Sequence, residues 1–386
     1  MNTNNLQEPL PLLKKVKQTS FRSQYGGLWT DLSNAHELTK GKERLGIISP
    51  LEAENLHYFI DNGYVVLDSL IPSDIIDAFL VELDSIYRGE KEGFSAEIWV
   101  NNKAYYGVPY KKDYFGLRSL KLVDVHTNSV LARQINLYPH LTRYLSLIFE
   151  RPVLAFQTLT FAYGTQQPIH QDTAYVRIDS PMEMVATWIA LEDISEGSGE
   201  LEFFVGSHQL PGFPFADDPG LIGDEKWFPE GQSKWFNGKD EQNHRAYLSW
   251  LVEESEKRGF PRKKFRAKKG DVLIWTNDLA HGGSRIEDET LTRRSIVTHY
   301  CPLDCNPFYF YTHKHSEKIP HHSLGYYSYA YHEGQLEETQ HQQQGELPPD
   351  FDSNLYLRLH PDVAEAGMDA EFHYLHHGIQ EKRPYK

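Results

Sequence analysis

The chain has 386 residues, enough for one large domain with an appendage or for roughly two or three domains of ordinary size. Its 54 acidic residues outnumber its 39 basic ones, and the net charge of −15 would repel a phosphate backbone, so we exclude a nucleic-acid partner. Hydrophobic residues make up 40% and aromatic residues 13%, too much for a disordered chain, and no apolar run approaches the ~18 residues that span a bilayer. We therefore expect a globular protein with no membrane insertion.

The N-terminus and the cysteines predict a cytoplasmic location. The first 20 residues have a Leu/Pro patch before their basic residues, the reverse of the order in a secretory signal. Cys301 and Cys305 are too few for a disulfide framework or a structural zinc site, so their thiols should stay reduced. We infer a small-molecule substrate and no obligate protein partner.

The N-terminal part of the chain predicts an arm followed by a helix. Residues 1–45 are polar and interrupted by glycine, which favours a loose arm. Ser49 and Glu52 flank Pro50 in the pattern of an N-cap, a proline at the first helical position and a glutamate at the third. With a glycine stop downstream, this pattern predicts a helix over 50–61.

Strands dominate the middle of the chain, after two further helices that apolar spacing predicts over 75–87 and 128–149. Short β-rich segments follow at 153–164, 184–191, 201–206, 271–277 and 294–302. Helices followed by strands predict an α+β protein whose helices pack outside an antiparallel sheet or sandwich. The stretch 207–268 is too long for an ordinary connector and predicts a lid-like insertion.

The main domain should span residues 46–310, and the composition changes twice after it. Residues 311–350 are rich in Tyr, His and Gln, which predicts a linker-like loop. Residues 351–386 predict a small C-terminal helical module, with the pattern Tyr-Leu, Pro-Asp-Val, Ala-Gly, then His-Tyr-Leu and a glycine with basic residues. This segment resembles a module appended to bacterial enzymes and surface-glycan proteins, which implies a bacterial source and a glycan-related pathway.

The residues that point to chemistry are a His-x-Asp pair and a distant histidine. His170 and Asp172 are two residues apart, so an extended chain places both on one face. His281 follows the apolar segment GDVLIWTN and a short turn. Two histidines and one carboxylate form the facial triad of non-heme Fe(II) oxygenases, which leaves coordination positions open. Further along, Arg293 or Arg294 could face the site and bind a carboxylate through two hydrogen bonds.

Taken in order, these residues resemble the phytanoyl-CoA dioxygenase family of Fe(II)/2-oxoglutarate oxygenases. The resemblance rests on His170-x-Asp172, Trp188 in the next strand, the GDVLIW segment, His281 and an arginine 12 residues later, and it covers about residues 50–302. It implies a double-stranded β-helix, or jelly roll, with helices packed on one sheet. It also implies that these two histidines and the aspartate bind iron, with 2-oxoglutarate and O₂ as cosubstrates.

The same resemblance gives expected roles to other side chains. Arg293, which strand alternation favours over Arg294, would bind the distal carboxylate of 2-oxoglutarate. Trp188 would wall the cosubstrate pocket, and Gln157 would contact substrate or cosubstrate. Ser284 would correspond to a serine that the family commonly has two residues after the last histidine. A core aromatic and an edge-strand polar residue are the structural alternatives for Trp188 and Gln157.

The activity that the resemblance implies is hydroxylation of a small molecule or biosynthetic intermediate, with release of succinate and CO₂. Asp172 favours hydroxylation because halogenating relatives have a small residue in its place. A desaturase, epoxidase or cyclising oxidase on the same iron centre is one alternative, and a metal-containing binding protein without turnover is another. The aromatic clusters at 105–115 and 227–236 would suit a third, a carbohydrate-recognition module that binds glycans without iron.

Overall fold

The computed structural model describes residues 20–23, 26–100, 103–180, 182–213, 215–216, 232–233, 241–308, 317–329, 347–348, 351–365, 370–374 and 383–385. Across these ranges, every helix is too short or too polar to cross a lipid bilayer. The helices are α1 (Ala35–Arg44), α2 (Pro50–Asn62), α3 (Ser73–Tyr87), α4 (Val130–Asn136), α5 (Pro139–Phe149), α6 (Glu241–Lys257), α7 (Ser353–Leu359), α8 (Pro361–Glu365) and α9 (Ala370–His373).

The strands begin in the N-terminal half but concentrate after residue 150. They are β1 (Tyr64–Leu67), β2 (Ser95–Val100), β3 (Lys103–Pro109), β4 (Lys121–Val123), β5 (Val153–Phe161), β6 (Arg177–Ile178), β7 (Val185–Ala190), β8 (Leu201–Phe204), β9 (Phe215–Ala216), β10 (Gln232–Ser233), β11 (Arg262–Phe265), β12 (Val272–Thr276), β13 (His281–Gly283), β14 (Ser295–Pro302), β15 (Pro307–Phe308), β16 (Glu317–His322) and β17 (Gly325–Tyr329). All five predicted β-rich segments therefore contain a strand.

Two sheets form the core and pack face to face. The large sheet has the order β1, β12, β7, β14, β5, β4, β2, β3, and the small sheet has the order β11, β8, β13. Trp188, Trp275 and Val297 of the large sheet share one buried cluster with Leu201 and Phe203 of the small sheet. This antiparallel sandwich with helices on one side is the predicted α+β jelly roll, and the predicted fold class is confirmed.

The helices cover the outer face of the large sheet because its strands alternate. Trp188 points inward, whereas the next residue, Ile189, joins a second buried cluster together with Ile274 and Ile296 of the neighbouring strands. Helix α2 contributes Phe59 and helix α3 contributes Phe79 to that cluster. Every central strand is thus buried on both faces, which fixes the position of its inward side chains.

The predicted helix ends agree with the structure in one place and differ in another. Helix α2 begins at a capping box in which the Ser49 hydroxyl accepts from the Glu52 amide and the Glu52 carboxylate accepts from the Ser49 amide. The single helix predicted over 128–149 is instead α4 and α5. Pro139 has no amide hydrogen to continue a helix, and it occupies the first position of α5 instead.

Part of the predicted N-terminal arm is ordered against the main domain. Helix α1 packs on α2, and Trp29 is buried with its indole nitrogen donating to the Leu147 carbonyl at 2.9 Å. A buried tryptophan whose polar atom is satisfied anchors a segment that looks loose by composition. Residues 1–19 of the predicted arm lie outside the described part of the chain.

The later predicted segments also contain more structure than their composition suggests. The linker-like loop 311–350 contains the β16–β17 hairpin, whose second strand pairs in parallel with β5. The insertion 207–268 contains α6, which is anchored by buried Tyr247 and Leu251. The residues 217–231 and 234–240, with the aromatic residues at 227–236, lie outside the described ranges. In the C-terminal module, Tyr356, Ala370 and Tyr374 from α7, α9 and the residue after α9 form a separate cluster.

Candidate metal centre

An isolated β-bridge between His170 and the first residue of β13 places the two predicted histidines side by side. The amide of His170 donates to the carbonyl of His281 at 2.8 Å, and the amide of His281 donates back at 2.9 Å. Asp172 follows at the start of a short 3₁₀ turn. Its Oδ1 atom lies 3.8 Å from His170 Nε2 and 3.6 Å from His281 Nε2. The three buried side chains offer ligand atoms that all lie within 4.8 Å of one another, and we call them the ligand wall.

Both histidines of the ligand wall are held in the same tautomer. The Nδ1 atom of His170 lies 2.8 Å from the Pro168 carbonyl, and Nδ1 of His281 lies 2.9 Å from the Leu279 carbonyl. A carbonyl can only accept, so each Nδ1 carries the hydrogen and each Nε2 presents a lone pair. Burial lowers the pKa of His170 to about 3, so this imidazole is neutral at physiological pH. A metal binds the neutral form of imidazole, here through its Nε2 atom.

The carboxylate of Asp172 has one oxygen engaged and one directed at the histidines. Its Oδ2 atom accepts a hydrogen bond from the indole nitrogen of Trp275 at 2.8 Å. Burial alone would raise the pKa of Asp172, but the neighbouring imidazoles of His281, His299 and His170 outweigh it and hold the pKa below its usual range. The ligand wall therefore offers one carboxylate oxygen and two imidazole Nε2 atoms.

The loop between the ligands is fixed by helix α6. The Gln171 amide, between His170 and Asp172, donates to the Tyr247 hydroxyl at 2.8 Å, and the Gln171 side chain donates to the Asp278 carbonyl at 2.6 Å. A β-carbon on Gly282 would lie 2.7 Å from the Gln167 carbonyl, so a glycine is required where the two ligand strands approach. No sequence motif marks Tyr247, which lies 76 residues along the chain from Gln171.

The ligand wall faces a cavity of about 820 Å³. The inner face of the large sheet forms the opposite side of the cavity. We call its cavity-lining residues the sheet wall: Gln157, Leu159, Phe161, Trp188, Arg293, Val297 and His299. This volume is in the usual range for a site that encloses a small molecule.

Of the two candidate arginines, Arg293 lines the cavity. Arg293 is 3% exposed, its Nη1 donates to the Gly199 carbonyl at 2.9 Å, and its guanidinium lies 5.2 Å from the centre of the Phe161 ring. Arg294 faces the other way and pairs with Asp84 of α3 at 2.8 Å. Among the described residues, Nε of Arg293 has no hydrogen-bond partner. Burial lowers the pKa of Arg293 to about 10, which still leaves it a buried cation at neutral pH.

Two other predicted residues contribute polar atoms to the same wall. Trp188 is buried on β7, and its indole nitrogen has no hydrogen-bond partner within the described ranges. Gln157 on β5 donates from Nε2 to the Tyr106 hydroxyl at 3.0 Å, while its buried Oε1 likewise has no partner there. Three of the residues predicted from sequence therefore lie on one face of the cavity.

Comparison with known proteins identifies the family of the chain. The model of the phytanoyl-CoA dioxygenase (PhyH) family matches residues 59–295. The chain belongs to the phytanoyl-CoA dioxygenase family. The family predicted from the sequence motifs is confirmed, and so is the general class of oxygenase that depends on Fe(II) and 2-oxoglutarate.

Individual members and neighbours differ widely in sequence from this member of the phytanoyl-CoA dioxygenase family. The human peroxisomal phytanoyl-CoA dioxygenase is 24% identical over 268 residues, which covers 66% of this chain and 70% of the human one. The structure of SnoN, an epimerase in complex with Fe3+, alpha ketoglutarate and nogalamycin RO, is 16% identical with a TM-score of 0.45 over 66% of this chain and 85% of that one. HygX from Streptomyces hygroscopicus, with nickel and 2-oxoglutarate bound, is 17% identical with a TM-score of 0.42 over 73% and 97%.

One predicted residue of this family member does not line the cavity. The hydroxyl of Ser284 donates to the Glu200 carboxylate at 2.8 Å, and its amide donates to the Glu200 carbonyl at 2.8 Å. Gly282 and Gly283 line the cavity instead. The extra glycine after His281 places the serine one position further on, directly after β13, where its hydroxyl faces Glu200.

Other cavity residues were missed by the sequence analysis. His299 lies on β14 with its Nε2 atom 3.4 Å from Asp172 Oδ2. Its position six residues after Arg293, on the same face of a strand, was the available signal. Tyr175 contacts His244 of α6 at 2.6 Å and packs edge-on against the His170 ring. Lys121 and Glu97, which also line the cavity, form an ion pair at 2.9 Å. No sequence motif marks these pairs, because each joins distant segments.

Proposed function

We propose that the protein is a dioxygenase that uses Fe(II), 2-oxoglutarate and O₂ to hydroxylate a small biosynthetic intermediate, with release of succinate and CO₂. The observation that carries the proposal is the geometry of the ligand wall, in which two imidazole Nε2 atoms and one carboxylate oxygen converge. Two histidines and one carboxylate are the donor set of non-heme Fe(II) oxygenases. When bound there, Fe(II) would supply the activation of O₂.

The ligand wall fits a divalent metal in its outer contacts as well as in its donors. His170 and His281 donate from Nδ1 to backbone carbonyls, and Asp172 accepts at Oδ2 from Trp275. Such outer hydrogen bonds fix the tautomer and orientation of metal ligands. We therefore propose that these three residues hold the iron.

The sheet wall fits 2-oxoglutarate because it presents buried donors. Arg293 Nε and Trp188 Nε1 both lie in the cavity lining without a hydrogen-bond partner among the described residues. Buried donors in proteins are normally paired, and a carboxylate supplies the acceptors that both lack. We propose that Arg293 binds the distal carboxylate of 2-oxoglutarate and that Trp188 walls the same pocket.

The rest of the cavity is available for substrate. A volume of about 820 Å³ exceeds what a five-carbon dicarboxylate fills, and the remaining lining includes Gln157, Tyr106, Trp99 and Tyr175. Aromatic rings with hydroxyl and amide groups suit a small molecule with apolar and polar parts. We propose that Gln157 contacts this substrate, and an aspartate ligand favours hydroxylation as its reaction. The cytoplasmic location, the bacterial source, the glycan-related pathway and the lack of an obligate protein partner stay predictions.

The first experiment measures O₂-dependent conversion of 2-oxoglutarate to succinate by purified protein with added Fe(II). A pooled library of metabolites and sugar nucleotides serves as prime substrate, and His170→Ala and Arg293→Ala serve as test variants. Arg294→Ala is the matched control, because this neighbouring arginine pairs with Asp84 outside the cavity. We expect succinate from wild type and the control, and background levels from both test variants.

Direct binding decides the case in which no pool supports turnover. Wild-type protein should still bind Mn(II), and then 2-oxoglutarate, in anaerobic titrations. Binding that depends on His170 and on Arg293 would leave the class intact and the substrate outside the library. Wild-type protein that binds neither ligand would refute the proposed function.

A further inference from the structure

We propose that His299 is a positioning residue that holds the Asp172 carboxylate for the metal, an inference that rests on the proposed function. The imidazole of His299 is 3% exposed, and neither of its ring nitrogens has a hydrogen-bond partner within the described ranges. A buried polar group without a partner costs free energy, so its presence in the core calls for an explanation.

Sheet register places His299 at the level of the metal ligands. Across neighbouring strands, Trp275 pairs with Ala186, Ala186 pairs with His299, and His299 pairs with Gln157. The two ring side chains of this row are separated by the small Ala186, and both reach the same atom, Oδ2 of Asp172. Trp275 Nε1 lies 2.8 Å from it and His299 Nε2 lies 3.4 Å from it. Asp172 Oδ2 thus accepts a hydrogen bond from Trp275 and has His299 Nε2 close by, without a hydrogen bond to it among the described residues.

This arrangement controls which carboxylate oxygen can bind the metal. A carboxylate ligand can bind through one oxygen or through both, and the second mode uses a coordination position. Two donors on Oδ2 would hold it back and leave Oδ1, the atom near both histidine Nε2 atoms, to bind alone. His299 is not itself in the set of ligand atoms that lie within 4.8 Å of one another. It therefore acts through Asp172 and not as a ligand.

The opposite signs of two effects separate this role from a purely structural one. His299→Leu removes an unpartnered polar group from the core, so the metal-free protein should be as stable as wild type or more stable. The same change removes the nitrogen that lies 3.4 Å from Asp172 Oδ2, and loss of such an outer contact typically weakens metal affinity by about 10- to 100-fold. His299→Gln keeps a donor near the position of Nε2 and should recover most of the affinity.

The test titrates Mn(II) alone into chelator-treated full-length protein and follows free Mn(II) by electron paramagnetic resonance. Thr298→Val is the matched control, because Thr298 is equally buried on the same strand but does not line the cavity. We expect wild-type affinity in the control, a loss of about 10- to 100-fold in His299→Leu, and a smaller loss in His299→Gln. Thermal unfolding of the metal-free variants should show no fall in midpoint for His299→Leu.

Each contrary result has a defined meaning. Equal Mn(II) affinity in His299→Leu and wild type would overturn the inference and leave the proposed function standing. An equal loss in His299→Gln and His299→Leu would also overturn it, because the donor would then not matter. A loss of affinity that accompanies a lower unfolding midpoint would assign His299 to core packing. Wild-type protein without Mn(II) affinity would instead overturn the proposed function itself.

Discussion

The two walls of the cavity differ in how their polar atoms are satisfied. In the ligand wall, the outer atoms of His170, His281 and Asp172 each have a partner in the protein, at 2.8 to 2.9 Å. In the sheet wall, four side chains carry atoms that have no partner among the described residues, namely Arg293, Trp188, Gln157 and His299. The outer atoms of the ligand wall are thus satisfied within the protein, whereas the sheet wall is complementary to molecules that carry acceptors and donors of their own.

The largest expected effect comes from moving the ligand wall itself. Gly282→Ala would place a β-carbon 2.7 Å from the Gln167 carbonyl and 3.0 Å from the Ile169 amide nitrogen, and backbone atoms cannot swing aside. The pairing between His170 and His281 would have to open, so we expect a loss of about 100-fold or more in Mn(II) affinity. Titration with Mn(II) measures it. Gly41→Ala is the control, since its β-carbon meets nothing within 4 Å. An unchanged affinity in Gly282→Ala would show that the wall is not rigid.

A change in the sheet wall should affect the cosubstrate and leave the metal unaffected. Arg293→Lys keeps the charge but loses the planar pair of donors, so we expect the KM for 2-oxoglutarate to rise about 100-fold. Mn(II) affinity should stay at the wild-type value. Arg294→Lys, which retains a cation beside Asp84, is the control. Equal weakening of metal and cosubstrate binding would contradict the assignment of the metal to the ligand wall and of the cosubstrate to the sheet wall.

The pH dependence of stability should come in part from the ligand wall. Burial holds the pKa of folded His170 near 3, against 6.5 in the unfolded chain, so between these values the unfolded state binds one more proton. Stability is therefore fully present above pH 6.5 and is lost as the pH falls toward 3. In chelator-treated protein, His170→Gln should reduce the slope of the unfolding free energy by about 1.4 kcal/mol per pH unit between pH 6 and 4. Denaturant unfolding at several pH values measures this slope. An unchanged slope would mean that His170 binds its proton in the folded protein as readily as in the unfolded chain.

Much of the architecture could be predicted from sequence because it depends on local signals. The five β-rich segments, the capping box at Ser49 and each member of the ordered motif from His170 to Arg293 are readable over a few residues. The hairpin β16–β17 was missed because its strand pairs with β5, more than 150 residues earlier in the chain. The anchoring of Trp29 was missed because its partner, Leu147, lies 118 residues further along the chain.

The parts of the site that escaped prediction depend on contacts between distant elements. Alternation along β14 places His299 on the same face as Arg293, but its approach to Asp172 depends on how the loop after β5 folds back. Tyr247 supports the ligand loop from an insertion helix that no motif marks. The two walls differ in whether their polar atoms have hydrogen-bond partners, and this difference is visible only when the positions of all the partners are known.

The support from Tyr247 gives a smaller effect on the ligand wall. Tyr247→Phe leaves the buried Gln171 amide without its acceptor, which should lower the unfolding free energy by about 2 kcal/mol. Mn(II) affinity should fall by less than in Gly282→Ala, because the strand pairing remains. Tyr300→Phe is a control for loss of a buried tyrosine hydroxyl that donates to the Asn136 carbonyl away from the cavity. Chemical denaturation and Mn(II) titration report the two effects, and a stability loss in Tyr247→Phe with unchanged Mn(II) affinity would show that α6 does not support the ligands.

The smallest effect should come from Ser284, which lies near the sheet wall but outside the cavity lining. Its hydroxyl donates to Glu200, a carboxylate that also accepts from the Gly197 amide at 3.2 Å and lies 3.9 Å from Lys264. Because Glu200 keeps these partners, Ser284→Ala should cost about 1 kcal/mol of stability and leave the KM for 2-oxoglutarate unchanged. Steady-state kinetics beside Arg293→Lys measure this. A KM that rises in both variants would indicate that Ser284 contacts the cosubstrate, as the family pattern implies. The Ser284 hydroxyl would then have to leave Glu200 when the cavity is filled.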